Sequence, residues 1–279
     1  MASTSRRRPP HVHKFGGASL ADAAAMRQAV RILADHAAEP TVVVVSAMAG
    51  VTDQLLTLAR EAASGDLTAP VRLVAALEAG YAAAAKTLLP AAIRKLFLAW
   101  LKTDAAEVRA LATGLSLVRE LTPRSSDLLA ARGERWSARL LAAALQAAGV
   151  PAVYVDATEL IATDGAFGAA SPDFAGTETM AAAVLRPHLK AGRVPIVPGF
   201  IGRTPDGGTA TLGRGGSDLT ATLLARALGA SRVSLWKDVP GFLTADPRVV
   251  PDARVLPQLH VREAAELASG FADKTRTTL

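Results

Sequence analysis

The sequence predicts an α/β fold, a three-layer αβα sandwich whose central sheet is mostly parallel. Three observations predict it. Short β-branched runs alternate with long alanine- and leucine-rich runs along nearly the whole chain. The strand candidates are continuously apolar, as strands covered on both faces of a parallel sheet must be. Half of the 279 residues are hydrophobic and only 20% are charged, which excludes an intrinsically disordered chain. Repeated strand–helix units of this kind place helices on both faces of one sheet. No internal repeat or low-complexity linker interrupts them, so a solvated basic tail at 1–10 and one domain at 11–279 are expected.

In chain order, His11-Val12-His13-Lys14-Phe15 reads as a strand that Gly16-Gly17 stops. Residues 21–38 form a helix with Met26, Val30, Ile32 and Leu33 on its apolar side. Thr41-Val42-Val43-Val44-Val45, bounded by Pro40 and Ser46, is the next strand. Helices follow over 52–64, 71–88, 91–121 with interruptions, and 127–148. A strand at 151–155, a helix at 177–190 and a strand at 194–197 continue the alternation. Asp206-Gly207-Gly208 is a turn signal joining extended pieces at 199–203 and 209–212 into an antiparallel hairpin. Residues 217–228 are helical with Ser217 as N-cap, 232–236 a strand, and 261–268 a last helix.

Composition removes several classes of function. With no cysteine, disulfide frameworks, thiolate zinc sites, iron–sulfur clusters and cysteine nucleophiles are excluded. The same absence fits a reducing, cytoplasmic setting. The longest charge-free apolar stretch, 140–155, contains Gln146 and Pro151 and falls short of the roughly 18 residues a membrane span needs. Arg6-Arg7-Arg8-Pro9-Pro10 is followed by no long apolar region, unlike a secretory signal. The net charge of +6 comes from 31 basic and 25 acidic residues, and the tail arginines supply about half of the excess. No basic run in the body is interleaved with aromatics, which single-strand nucleic-acid binding requires. An anionic small ligand is the better use of the charge. The five histidines are scattered, His11 and His13 on one side of a strand, without zinc spacing. Asp156, Asp164 and Asp173 make no metal loop, so no metal held by the protein alone is expected.

Ligands of open α/β sheets bind beyond the carboxyl ends of strands, and four loops there carry the chemistry. Lys14-Phe15-Gly16-Gly17-Ala18-Ser19 sets a lysine beside two glycines whose amides can approach a phosphate ahead of a helix N-terminus. It lacks the Gly-Lys-Ser/Thr ending of a P-loop. Alone it also suits an ordinary strand–turn–helix junction. Ser46-Ala47-Met48-Ala49-Gly50-Val51-Thr52 offers small residues and two hydroxyls, or simply a loop with Thr52 as helix cap. Leu212-Gly213-Arg214-Gly215-Gly216-Ser217-Asp218 is harder to explain as packing. Arginine presents a planar fork for a carboxylate or phosphate. Trp236-Lys237-Asp238-Val239-Pro240-Gly241 and Thr244-Ala245-Asp246-Pro247-Arg248 are turns with charges, functional or structural on equal terms. Gly133-Glu134-Arg135 adds an acidic group inside an apolar helix, either facing a cleft or paired on the surface.

Taken in this order, these residues resemble the aspartate kinase branch of the amino-acid kinase superfamily, which has a carbamate kinase-like fold. The Leu-Gly-Arg-Gly-Gly-Ser-Asp string with the downstream Asp-Pro-Arg carries the resemblance most specifically, and it covers residues 11–268. It implies transfer of the ATP γ-phosphoryl group to the β-carboxylate of L-aspartate, the first step toward lysine, threonine and methionine. It further implies that Lys14 and Asp218 are catalytic, with Lys14 on the phosphates and Asp218 orienting active-site cations. Arg214 would hold the substrate's carboxylate and Glu134 its ammonium, while Ser46, Thr52, Phe200 and Ser217 line the aspartate pocket. Gly16, Gly17, Lys237, Asp238, Leu243 and Arg248 would surround the nucleotide. Mg²⁺ would arrive with ATP, held largely by phosphate oxygens and water. Neither nucleic acid nor membrane is an expected partner; a homo-oligomer is open.

Ala18 stands where relatives carry threonine, Lys237 where threonine is frequent, and Leu243 where tyrosine is common. After the last helix, Ser269-Gly270-Phe271-Ala272-Asp273-Lys274 replaces the usual Gly-Ala-Lys-Val-Leu-His-Pro. The expectation is a catalytic domain incomplete at its C-terminus, without the regulatory ACT-type domains of relatives. A sibling kinase acting on another carboxylate and a nucleotide-binding remnant without turnover are the alternatives. Nucleic-acid binding ranks last.

Overall fold

The computed structural model describes residues 8–36, 38–66, 68–237, 241, 243–246, 249–260 and 262–263. The chain divides into two compact units, Met1–Trp236 and Lys237–Leu279. In the first unit the strands are β1 (His11–Phe15), β2 (Thr41–Val45), β3 (Ala152–Tyr154), β4 (Val194–Pro198), β5 (Ile201–Arg203), β6 (Thr209–Thr211) and β7 (Arg232–Trp236). The α-helices are α1 (Ala23–Asp35), α2 (Val51–Ala63), α3 (Thr68–Leu88), α4 (Ala91–Val118), α5 (Pro123–Ala130), α6 (Arg132–Ala147), α7 (Phe174–Lys190) and α8 (Gly216–Leu228).

Five strands form a parallel sheet in the order β3-β4-β2-β1-β7. β5 and β6 pair antiparallel, Ile201 opposite Thr211, as the Asp-Gly-Gly turn requires. Strand residues alternate between two cores, because successive side chains point to opposite faces. Phe15, Val43, Val45 and Ile196 pack with α1, α2, α3, α4 and α6, whereas Val12, Val42, Val44 and Val197 pack with α7 and α8. The expected three-layer αβα sandwich is thus the observed one. Lys14 lies in register with Val44 and so shares the α8 face.

Local details depart from the sequence reading in four places. α4 runs without interruption for 28 residues. Gly114 weakens it locally by about 1 kcal/mol, but the buried stripe Leu101, Ala105, Val108, Ala112 and Leu115 holds it. The single helix expected at 127–148 is two, α5 and α6, meeting at Ala131. There the Arg135 N–H to Ala131 carbonyl bond stretches to 3.4 Å. Asp127 on one side is tied to the hairpin, and Gly133 on the other is pressed onto α2. Ser217 does not cap α8: Gly215 does, at φ 75°, and Ser217 lies buried in the first turn. The 16–19 loop leads first into a short 3-10 turn, and α1 begins only after Asp22, whose carboxylate accepts from Ala24 and Ala25 N–H at 2.8 Å.

In the second unit Leu243 and Val255 form an antiparallel bridge, with Thr244 N–H donating to the Arg254 carbonyl at 2.9 Å. The helix expected at 261–268 falls almost wholly outside the described residues.

Candidate active site

The carboxyl ends of β1, β2 and β4 lie side by side, and their loops are stitched together. Ser46 N–H donates to the Phe15 carbonyl at 3.1 Å, and Gly199 N–H to the Val45 carbonyl at 2.8 Å. A Cβ on Gly17 would sit 3.1 Å from the Ala47 carbonyl, and one on Gly199 would sit 2.7 Å from Ser217 Cβ. Both glycines therefore permit backbone approaches that any side chain would obstruct.

Lys14 projects from β1 beneath this edge. Its ammonium is 2.5 Å from Asp218 Oδ1, in the first turn of α8, and the lysine is 6% exposed. An ion pair this enclosed fixes the aim of the ammonium. Glu134, in the first turn of α6, is 4% exposed. Burial pushes its carboxyl up to about 7, against the Ala47 backbone hydrogen bond and the nearby Lys14 charge. Its Oε2 is buried and has no hydrogen-bond partner among the described residues. An unpaired acceptor in that position costs free energy that a cationic ligand group would recover.

α6 is held so that Glu134 faces the loop. Gly133 lets it approach, since a Cβ there would lie 2.7 Å from Ala47 Cβ and 3.0 Å from Val51 Cγ1. Tyr81 Oη donates to the Gly133 carbonyl at 3.1 Å and lies 2.9 Å from Ser137 Oγ, and it also takes the Met48 N–H. Arg135 grips Asp156 from the same turn at 3.0 Å, so it is not available to pair with Glu134.

Opposite, Phe200 occupies the left-handed region at φ 70°, a conformation costing about 1 kcal/mol for an L-residue. Its N–H donates to Thr220 Oγ1 at 3.1 Å, and its ring lies where a Cβ on Gly216 would come within 2.9 Å. Ser46 and Thr52 are half-buried on the second loop, Thr52 in the first turn of α2 behind Gly50, which caps that helix instead. Arg214 is exposed on the loop entering α8 and has no ion-pair partner among the described residues.

The structure therefore brings together Lys14, Ser46, Glu134, Phe200, Ser217 and Asp218, with Thr52 and Arg214 on the adjoining first turn and loop. One expectation changes. The Gly16 amide is taken by the Trp236 carbonyl at 3.1 Å, so it does not face an anion, and Ser19 Oγ uses the same carbonyl. Lys237 and Leu243 belong to the second unit. Asp238 and Arg248 lie outside the described residues. Tyr81 and Asp127 were not singled out from sequence. A tyrosine within an alanine-rich helix was a usable signal, because a buried phenol must find a partner.

A family model for the amino acid kinase family matches residues 10–277. The chain belongs to the amino acid kinase family. It is 41% identical over 260 residues to lysine-sensitive aspartokinase 3 of Escherichia coli (strain K12), covering 92% of this chain and 55% of that one. It is 36% identical over 269 residues to the chloroplastic aspartokinase 1 of Arabidopsis thaliana, covering 92% and 45%. The solved structure of E. coli aspartokinase III in complex with aspartate and ADP (R-state) superposes with a TM-score of 0.82 at 38% identity, over 93% of this chain and 56% of that one. The chain thus spans about half the length of the curated relatives it matches. Among the described residues no helix is long and apolar enough to cross a membrane.

Proposed function

We propose that the chain is the catalytic unit of an aspartate kinase, moving the γ-phosphoryl group of ATP onto the β-carboxylate of L-aspartate. One observation carries this reading: a buried lysine, its aspartate partner and an unpaired buried glutamate converge at one strand edge, beside a glycine-flanked arginine. Likeness to aspartokinases, one of them solved with aspartate and ADP, supports it.

The acceptor carboxylate, with an ordinary pKa of about 3.9, is already ionised near neutrality, so no base is required. A carboxylate oxygen attacks the γ-phosphorus, the bond to the β,γ-bridging oxygen breaks, and ADP leaves with the electron pair. No proton moves. The barrier is the approach of two anions, which positive charge and positioning must lower. Lys14 supplies charge at the phosphoryl oxygens, and Asp218 keeps its ammonium aimed. Glu134 Oε2 takes the substrate ammonium and Arg214 its α-carboxylate, while Ser46, Thr52, Phe200 and Ser217 close the pocket. Mg²⁺ would come with the nucleotide and neutralise phosphate oxygens, and Asp218, beside Lys14, would be the carboxylate to help orient it. Among the described residues no cluster of three or more His, Asp or Glu side chains is placed to hold an ion alone. A cytoplasmic setting belongs to the same proposal.

Hydroxamate formation from ATP and hydroxylamine, with aspartate, glutamate or acetylglutamate as acceptor, tests it. Turnover with aspartate is expected. Turnover confined to another acceptor, or ATP binding without any turnover, would overturn the assignment.

A further inference from the structure

Asp127 is a buried carboxylate that the chemistry above does not use. It is 3% exposed, lies on α5, and has no cationic partner among the described residues. Its three hydrogen bonds all reach distant chain. Oδ2 accepts from Gly168 N–H and Thr211 N–H, each at 2.8 Å, and Oδ1 accepts from Thr211 Oγ1 at 2.8 Å. Thr211 is the last residue of β6 and stands three positions before Arg214. Gly168 belongs to the strip packed under the same loop. A Cβ on Gly213 would meet Ala169 Cβ at 3.3 Å, and Ala170 N–H donates to the Thr211 carbonyl at 2.8 Å. One carboxylate therefore fixes both the strand that enters the 212–215 loop and the strip that supports it. Its own helix abuts α6, which carries Glu134.

We propose that Asp127 is a positioning residue that sets the 212–215 loop, and with it Arg214, relative to Glu134. This rests on the reading that these two side chains hold the two charged groups of the amino-acid acceptor. Linking the α5–α6 segment to the loop through one buried side chain makes their separation independent of solvent. Burial of a carboxylate among neutral donors is costly unless every lone pair in use is satisfied, so the arrangement tolerates little slack.

Three variants of the same chain separate this from a bulk stability effect. Asp127→Ala strips both backbone N–H groups of their acceptor. Thr211→Val removes only the hydroxyl bond. Asp127→Asn can keep all three, with its oxygen accepting both N–H groups and its amide donating to Thr211 Oγ1. The expected result is a KM for aspartate raised roughly 10- to 100-fold in Asp127→Ala, a smaller rise in Thr211→Val, and near-recovery in Asp127→Asn. The KM for ATP should change little. Amide hydrogen exchange over 211–216 should accelerate in Asp127→Ala and not in Asp127→Asn. An unchanged KM for aspartate in Asp127→Ala, or equal rises in both KM values, would overturn the proposal. If the unaltered chain phosphorylates no aspartate, the substrate reading fails, and the exchange data alone then decide the clamp: no acceleration in Asp127→Ala refutes it.

Discussion

Replacing Glu134 with Gln should weaken aspartate binding while stabilising the fold in alkaline solution, and both effects can be sized. Burial lifts the carboxyl from 4.5 to about 7. Between those values the folded chain retains a proton that the unfolded chain has released, so stability falls as pH rises through that window and levels off above it. At about 1.4 kcal/mol per pH unit the gap amounts to about 3 kcal/mol. Gln carries no such penalty. The Gln variant should therefore melt above the unaltered chain near pH 8 and close to it near pH 4.5. The cost appears in binding. An ammonium pairs with the ionised carboxylate, so the KM for aspartate should be about tenfold higher near pH 6 than on its plateau above about pH 8. In Glu134→Gln it should be raised roughly 100-fold and lose its dependence on pH.

Coupled ADP release at saturating ATP, from about pH 5.5 to about pH 8.5, reads the first effect, and melts followed by tryptophan fluorescence read the second. A KM for aspartate indifferent to pH would refute the ammonium assignment. A Gln variant less stable than the unaltered chain near pH 8 would refute the claim that the carboxyl is buried without an adequate partner.

Lys14→Met should lower kcat by roughly 100- to 1,000-fold, since it removes charge at the transferring group, and should lower the melting temperature as well, since it breaks the enclosed ion pair with Asp218; ADP release and a thermal melt check both halves. Gly199→Ala should destabilise by about 1–3 kcal/mol, because its Cβ would lie 2.7 Å from Ser217 Cβ and 2.9 Å from Ser217 Cα; denaturant unfolding measures it. His13 is fully buried, stacks parallel to Trp236, and accepts the indole N–H at 3.1 Å. Burial and the neighbouring His11 drive its pKa down from 6.5 to about 3, so the unfolded chain takes up a proton that the folded one refuses. Its contribution to stability is lost as pH falls from 6.5 to about 3, and below pH 4.5, where Glu134 no longer opposes it, His13→Gln should flatten the loss in acid titrations followed by circular dichroism.

Order of elements and composition of the loops were legible in the sequence because both depend on local pattern. The valine run of β2 could only be a strand covered on two faces, and it is. Lys14, Glu134 and Asp218 were legible as charges set among glycines or apolar residues. What the sequence could not convey was which backbone groups were already occupied. The Gly16 amide was expected to face an anion, yet it is bound to a carbonyl 220 positions away in the chain, because β1 and β7 are neighbours in the sheet. Asp127 gave no signal for the same reason: its partner Thr211 is separated from it by 84 residues.

The two titrating groups also constrain each other's visibility. Glu134 makes stability fall with rising pH from 4.5 to about 7, whereas His13 makes it rise from about 3 to 6.5. Over the shared window the slopes have opposite sign and similar size, so these two contributions nearly cancel in the unaltered chain, and the lowered His11 adds only a smaller rise. A shallow profile would ordinarily suggest that nothing buried titrates. Here it follows from a site group and a core group cancelling, and each single variant exposes the other. In Glu134→Gln the profile should climb with pH, and in His13→Gln it should descend. If both variants stay as shallow as the parent, neither group titrates as its burial requires.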